Sequence, residues 1–323
     1  MQKNISVVIP TYSRPELLVR CLHAMAMQSI DKSLFEVIVV SDGPDPQTAR
    51  ALSPWLRQNI LDLHYLSTTI KKGPAATRNL GWLSARSTFI AFTDDDCLPD
   101  RKWLEAFTDK YTGQALCAYS GHTKVPLPAN PTDFDLNTAG LEQAEFITAN
   151  CACTKAALIR TGGFDERFKL AWREDSDLHF KLLTHGIPVI TVTEAKVTHP
   201  VRAVQWGVSI REQKKASYEA LLFSKYPDLY RTRIAGKSLW NYYVINVLWV
   251  VLVISLIIGQ YKIAEFSTIM IVTLWLMFTV QRLQNTRKSI KHILEMLVTS
   301  VIIPTLSVYW RLYGAIKYRV IFI

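Results

Sequence analysis

The sequence predicts an α/β fold: a mainly parallel sheet with helices on both faces, followed by C-terminal membrane helices. Three observations carry this. Short apolar, β-branched runs alternate with helical stretches along the first half of the chain. Pro, Gly and Asp punctuate the joints between them. Long uncharged runs are confined to the last third.

Ile5–Ile9 reads as the first strand, ended by Pro10-Thr11, and 15–28 as a helix with proline in its first turn. Phe35–Val40 is a second strand, closing in Ser41-Asp42-Gly43-Pro44, and 46–57 a second helix. Leu63–Leu66 is a third strand, 73–85 a loop entering a helix, Thr88–Phe92 a fourth strand and 103–111 a further helix. Strands that are apolar throughout belong to parallel sheets covered on both faces, and such sheets bind ligands at the carboxyl ends of their strands. Asp42 and the run Asp94-Asp95-Asp96 both stand at strand ends.

At 323 residues, with 49% hydrophobic and 20% charged, the chain is about two domains long and is not disordered as a whole. Its 13 glycines and 14 prolines are too few and too scattered for a fibrous protein. The five cysteines (Cys21, Cys97, Cys117, Cys151, Cys153) are odd in number and form no CxxC pair. That pattern speaks against a disulfide framework and a zinc ribbon, and for a reducing compartment. The net charge of +10 is unevenly spread. Residues 1–200 hold 21 Lys+Arg against 22 Asp+Glu, while 201–323 hold the other 16 against 5. Basic asymmetry points to nucleic acid or to a membrane, and the hydropathy of the same region decides for the membrane. No nucleic-acid partner is expected.

Ser238–Tyr261 contains no charge and is flanked by Trp240, Tyr242, Tyr243 and Tyr261. A second apolar run lies between Glu265 and Arg282, and a third, containing Pro304, between Glu295 and Arg311. Spans are expected at about 239–259 and 264–281. The third segment, about 295–311, is short and broken, and is read as spanning or re-entrant. Residues 201–237 read as basic linker helices, amphipathic over 205–226 with Trp206. Arg231, Arg233 and Lys237 precede the first run, Lys262 alone separates the first two, and Arg282, Arg287, Lys288 and Lys291 follow the second. By the positive-inside rule, 1–237 and 282–295 are cytoplasmic and the turn near 259–264 is outside. Arg311, Lys317 and Arg319 favour the cytoplasmic side too, which a third helix on the inner leaflet would satisfy. The N-terminus lacks the pattern of a signal peptide, so the expected location is the cytoplasmic membrane, with residues 1–200 as a domain on the cytoplasmic side.

Three consecutive aspartates after a buried strand repel one another unless a cation or basic partner offsets them. Carboxylates suit Mg²⁺ or Mn²⁺, which bind through one or two of them plus substrate phosphates. A polar turn with Asp100 capping the next helix would carry the same residues. Downstream, Arg173-Glu-Asp-Ser-Asp-Leu178 opens a helix whose Leu178 and Leu182 share one face. Its acidic end can then project into a cleft. A solvated acidic helix start, favoured by the helix dipole, is the plainer reading.

Six segments occur in order: Val7-Val-Ile-Pro-Thr-Tyr12, Val39-Val-Ser-Asp-Gly43, Gly73-Pro-Ala-Ala-Thr-Arg-Asn-Leu-Gly81, Phe92-Thr-Asp-Asp-Asp-Cys-Leu-Pro99, Gly162-Gly-Phe-Asp165 and Arg173-Glu-Asp-Ser-Asp-Leu178. Together they resemble the family 2 glycosyltransferases, inverting enzymes of the GT-A (Rossmann-like) fold. The resemblance covers about 200 residues and implies a set of roles. Pro10, Thr11 and Arg14 would lie beside a nucleotide-sugar donor, Asp42 would accept a hydrogen bond from its base, and Arg78 would lie on the base or phosphate. Asp94 would bind ribose or metal-bound water, Asp95 would support, and Asp96, with His199, would ligate a divalent cation (Mn²⁺ or Mg²⁺). Asp175 would be the general base, with Glu174 and Asp177 orienting it or the acceptor. Gly163, Phe164, Asp165 and Trp172 would form the acceptor side. The family often has two acidic residues at the second strand end; Ser41-Asp42 supplies one.

The resemblance implies transfer from a UDP-sugar, with dTDP and GDP open, to a hydroxyl of a membrane-associated, lipid-linked or glycan acceptor in surface polysaccharide or glycolipid synthesis. A polyprenyl-phosphate glycosyltransferase and a small polysaccharide synthase are the near alternatives. The second is disfavoured by too few apolar segments for a channel and by only Gln205-Trp206 of a QxxRW-type motif. A nucleotidyltransferase would have no use for the downstream acidic helix. A non-catalytic membrane scaffold would not need Asp42, Asp94, Asp96 and Asp175 together.

Overall fold

In a computed structural model of the chain, the structure describes residues 3–234 and 239–322. Lys237 of the basic flank and Ser238, which opens the first uncharged run, lie outside the described residues. The chain divides into two units, Met1–Pro126 with Ala139–Val201, and Leu127–Thr138 with Arg202–Ile323.

The first unit opens with β1 (Ile5–Thr11), α1 (Pro15–Ala26), β2 (Phe35–Ser41), α2 (Pro46–Gln58), β3 (Leu63–Ser67), α3 (Pro74–Ser84) and β4 (Phe89–Phe92). Each of these helices starts on proline, whose fixed φ and missing N–H suit the first turn. Asp45 caps α2, accepting from Gln47 N and Thr48 N. Gly81 brings α3 onto the sheet, since a Cβ there would lie 2.3 Å from Val8 Cγ1. β5 (Leu98–Pro99), α4 (Trp103–Lys110) and β6 (Ala118–Lys124) follow. Asp100 meets α4 through its backbone, its carbonyl accepting from Trp103 N, and not as a side-chain cap. The chain then passes through α5 (Asp133–Ala139) and returns as β7 (Cys151–Thr154), α6 (Lys155–Thr161), α7 (Glu174–Thr184) and β8 (Val189–Thr198).

The eight strands form one sheet in the order β3-β2-β1-β4-β7-β6-β8-β5. The β3-β2-β1-β4 half is parallel, with Val7 opposite Val37 and Ala91, and the apolar residues of both faces are buried. β7 reverses the direction, pairing antiparallel with β4 and β6. Cys151 and Cys153 are buried packing residues on one face. Asn150 locks this half: its amide donates to His122 O and Ala195 O and accepts from Trp103 Nε1.

The second unit is helical: α8 (Val208–Glu212), α9 (Ser217–Lys225), α10 (Pro227–Arg233), α11 (Trp240–Ile257), α12 (Tyr261–Leu283) and α13 (Ile290–Lys317). A tight turn at Gln213–Ala216 joins α8 to α9, so the helix expected over 205–226 is helical from Val208 to Lys225. α11, α12 and α13 are long and apolar enough to cross a membrane. The break expected at Pro304 is absent, and α13 continues through it for 28 residues. The charges taken as its limits are accommodated within the helix. Glu295 accepts from Gly207 N, and Arg311 lies over the Phe322 ring. The excursion Leu127–Thr138 is held by Arg282, whose Nη2 donates to Asp133 Oδ2 (2.7 Å) and whose Nη1 donates to Thr299 and Ser300. Arg287 N also donates to Pro131 O.

Candidate active site

The carboxyl ends of β1, β2 and β4 place three polar groups in the first unit. Pro10 lies in β1 opposite Val40, and Thr11 follows it opposite Ser41. Thr11 Oγ1 donates to Asp95 Oδ2 (2.8 Å) and Arg14 Nη1 to Asp95 Oδ1 (3.2 Å). Asp95 is therefore a brace across the strand ends. Burial, with Asp96 and Asp94 adding repulsion, lifts its carboxyl to about 6 against the pull of Arg14. At the end of β2, Asp42 Oδ1 accepts from Lys72 N (2.6 Å) and Gly73 N (2.9 Å), fixing the loop that leads into α3. Gly73 has φ +99°, and a Cβ there would stand 2.6 Å from Lys169 O. Only glycine allows both the backbone and the close approach.

Arg78, on α3 and 3% exposed, joins two acidic segments that are far apart in sequence. Its Nη2 donates to Asp94 Oδ1 (2.7 Å) and its Nη1 to Glu174 Oε1 (3.0 Å). Burial opposes its charge, but Asp94 and Glu174 hold the guanidinium above the ordinary arginine range. Both Nη atoms are committed to protein carboxylates, so Arg78 is a bridge between the Asp94–Asp96 turn and the start of α7.

At that start, Arg173 takes the left-handed conformation (φ +71°) and so turns the chain into the helix. Glu174 is buried, and burial raises its carboxyl to about 7 although Arg78 pulls it down. Asp175 is half-buried; its Oδ1 accepts from Ser176 N (2.6 Å), and burial raises its carboxyl despite that bond and the nearby Arg173 and Arg78. Asp177 is turned away, fully buried and paired with Lys181 Nζ (3.3 Å). Lys181 Nζ also donates to Gly163 O (2.6 Å). Leu178 and Leu182 bury the opposite face, as their spacing predicts.

The Gly162–Asp165 turn is clamped from the other side by Asn79. Its Oδ1 accepts from Phe164 N and Trp82 Nε1, and its Nδ2 donates to Phe164 O and Glu166 Oε1. Gly163 (φ +62°) has no room for a Cβ, which would meet Asn79 Oδ1 at 2.8 Å. Phe164, expected on the acceptor side, is 2% exposed and packs edge-on against Phe92 beneath Arg78. A large apolar ring is worth more in the core than at a polar cleft. Asp165 binds Arg167 through both carboxylate oxygens. Trp172 is exposed, with Arg173 over its ring at 4.8 Å. Sequence reasoning missed Asn79 and Lys181. Asn79 adjoins Arg78 in a quoted segment, but nothing in one sequence marks it as a clamp.

His199 comes from the end of β8. Its Nε2 lies 3.7 Å from Asp96 Oδ1, both side chains are buried, and His199 Nδ1 has no hydrogen-bond partner among the described residues. Asp96, Cys97 and His199 each offer a donor atom, all within 4.8 Å of one another. Carboxylate and imidazole suit Mn²⁺, so the residues present fit a divalent cation. Burial, then Asp94 and Asp96, push the Cys97 thiol up, and sulfur is a soft donor that suits a hard ion less well than carboxylate or imidazole does. Asp42 N donates to Thr11 O (2.9 Å), so Asp42, the Asp94–Asp96 turn and Glu174 are linked through Thr11, Arg14 and Arg78.

The sequence profile described as glycosyl transferase family 2 matches residues 6–168. Validoxylamine A glucosyltransferase of Streptomyces hygroscopicus subsp. limoneus is 26% identical over 271 residues, covering 70% of this chain and 57% of that relative. The chain thus spans less than two thirds of that relative's length. A mannosyltransferase from Pyrobaculum calidifontis, solved with GDP-Man and Mn²⁺, superposes with a TM-score of 0.56 at 16% identity, covering 99% of this chain and 88% of that one. S. aureus TarS 1-349, solved with UDP-GlcNAc, gives 0.51 at 16% identity, covering 96% and 92%. These likenesses show the GT-A fold, and with half of the sequence matched by the profile, the chain belongs to glycosyl transferase family 2.

Proposed function

We propose that the chain is a metal-dependent, inverting glycosyltransferase that moves a sugar from a nucleotide diphosphate, a UDP-sugar by preference, to a hydroxyl of a membrane-borne acceptor. The observation that carries this reading is the Arg78 bridge, which ties Asp94 of the Asp94–Asp96 turn to Glu174 beside Asp175. Solved relatives of this fold hold GDP-Man with Mn²⁺ and UDP-GlcNAc, which supports a nucleotide-sugar donor.

Asp42, anchored on the Lys72 and Gly73 amides, orients the base end of the donor. Asp96 and His199 would hold the cation. When bound, that ion neutralises charge on the departing diphosphate. Asp175 accepts the proton of the acceptor hydroxyl as that oxygen attacks the anomeric carbon from the face opposite the leaving group. One in-line displacement inverts the configuration. Glu174, tied to Arg78, keeps the base at the donor end of the cleft. The apolar helices and the basic second unit favour an acceptor on an anionic membrane surface, lipid-linked and on the cytoplasmic face.

The test is release of nucleotide by the purified protein in detergent from UDP-, dTDP- and GDP-sugars, with Mn²⁺ or with EDTA, and with a polyprenyl-linked glycan present. Metal-dependent transfer from one donor is expected, abolished by Asp175→Ala with nucleotide binding retained. A protein that neither binds nor turns over any nucleotide sugar overturns the proposal.

A further inference from the structure

Length and hydropathy make α13 a third span, but its packing does not suit one. Within the second unit, α13 has two different faces. One carries Ile290, Leu294, Val298, Val301, Tyr309, Leu312 and Ile316, all exposed and spaced by three, four or twice four residues, so that they form one apolar stripe. The other is buried at Met296, Thr299, Ser300, Ile303, Pro304, Ser307, Val308 and Gly314.

What covers the buried face is a charged segment that packs on it through backbone and small or apolar side chains, Ala220 among them. Gly207 N donates to Glu295, Lys214 Nζ stands 5.7 Å from the Trp310 ring, and a Cβ on Gly314 would come within 2.5 Å of Ser217 O. Farther on, Phe223 and Tyr230 pack against Phe322. The segment 207–230 therefore accompanies α13 in the same direction along most of its length. It carries Arg211, Glu212, Lys214, Lys215 and Glu219. If α13 crossed the bilayer, these charges would cross with it, at the depth where charge is most costly.

The contacts with α11 and α12 agree. Arg282 reaches Thr299 and Ser300, Trp275 Nε1 donates to Leu297 O, and Asn246 Nδ2 donates to Pro304 O (3.4 Å). All fall in the half of the α11–α12 hairpin away from the turn at Gly259, whereas Val253, Ile254, Phe266 and Ile269 stay exposed. A spanning partner would continue along the hairpin to its turn.

We infer that α13 does not span, and that its apolar stripe lies on the hydrocarbon edge of the leaflet that the hairpin enters. The bilayer is the occupant because the stripe is apolar and exposed like the hairpin's own outer residues, and is accompanied by Lys291, Arg311, Lys317 and Arg319, cations that suit anionic headgroups. The inference rests on the membrane reading of the hairpin, and its test separates the two.

The native cysteines are all buried and silent to an impermeant maleimide. Ile159→Cys, Gln260→Cys and Ile321→Cys are introduced singly and labelled in sealed vesicles of both orientations. Labelling of Ile321→Cys from the Ile159→Cys side, with Gln260→Cys reacting from the opposite side, is the expected result. Ile321→Cys reacting with Gln260→Cys overturns it, because α13 then spans. All three reacting from one side refutes the hairpin itself. Spin labels at Leu294, Val301, Tyr309 and Ile316 in nanodiscs read depth by collision with oxygen against a nickel chelate. Four similar shallow depths are expected. A maximum at Val301, aqueous exposure at every site, or spin–spin broadening from a second copy each overturns the inference.

Discussion

Replacing Arg78 by methionine tests the bridge that organises the candidate site. Arg78 is almost fully buried, with Glu174 Oε1 at 3.0 Å and Asp94 Oδ1 at 2.7 Å. At an effective dielectric near 20, an ion pair with charges about 4 Å apart is worth about 4 kcal/mol. The Asp94 share is smaller, since its side chain is 27% exposed to water. Removing one member of a buried pair costs about 3–5 kcal/mol, and that is the loss expected at neutral pH. Glu174 is the group left stranded. Its carboxyl already titrates near 7 because of burial, and without Arg78 it is driven higher. A carboxyl raised in the folded state contributes stability that is complete below its unfolded value and lost as pH rises through its folded value. In the variant that loss extends above pH 7, so the deficit relative to the native chain grows with pH, by up to about 1.4 kcal/mol per unit. Glu174→Gln added to Arg78→Met removes this growth and recovers part of the loss. Urea midpoints, followed by hydrogen exchange of peptides from β1 and β4 at pH 6 to 9, measure all three proteins. An Arg78→Met protein within about 1 kcal/mol of the native one at pH 8, or no recovery in the double variant, would refute the bridge.

Gly163→Ala places a Cβ 2.8 Å from Asn79 Oδ1 in the left-handed region, so a loss of about 2–3 kcal/mol and a raised acceptor KM are expected from thermal melts and kinetics. Asp96→Asn and His199→Ala should each weaken Mn²⁺ binding at least tenfold by calorimetry while the fold, read by circular dichroism, is unchanged. Burial raises the Asp175 carboxyl, so the rate of transfer should climb with pH through a value above the ordinary aspartate range and then level. A flat pH profile from pH 4 to 8 would rule out Asp175 as the base.

The parallel half of the sheet was legible because buried strands announce themselves as apolar runs and because proline opens α1, α2 and α3. The reversal at β7 was not, since periodicity records burial and not strand direction. In α13, Glu295 and Arg311 looked like helix limits; the Gly207 amide that accommodates the first is remote in sequence, and the Phe322 ring under the second lies past the helix end. The acidic members of the site were legible from their places at strand and helix ends. Their partnerships were not: Asp95 proved a brace, Asp177 an anchor for Lys181, and Asn79 carried no signal that it clamps the Gly162–Asp165 turn. The attachment of Leu127–Thr138 to the helical unit is made by Arg282, 149 residues downstream of Asp133, and by the Arg287 amide, both beyond the reach of any local pattern.

That separation is also an interval of time. At about 5–20 residues per second, Arg282 leaves the ribosome roughly 7–30 s after Asp133. The strands that flank α5 are complete well before its anchor exists. The nascent chain therefore carries α5 as an unclaimed loop until α12 has been made. A chain ending at residue 200 would hold that loop without its guanidinium permanently, so residues 127–138 are expected to be less protected in it than in a chain that includes α12.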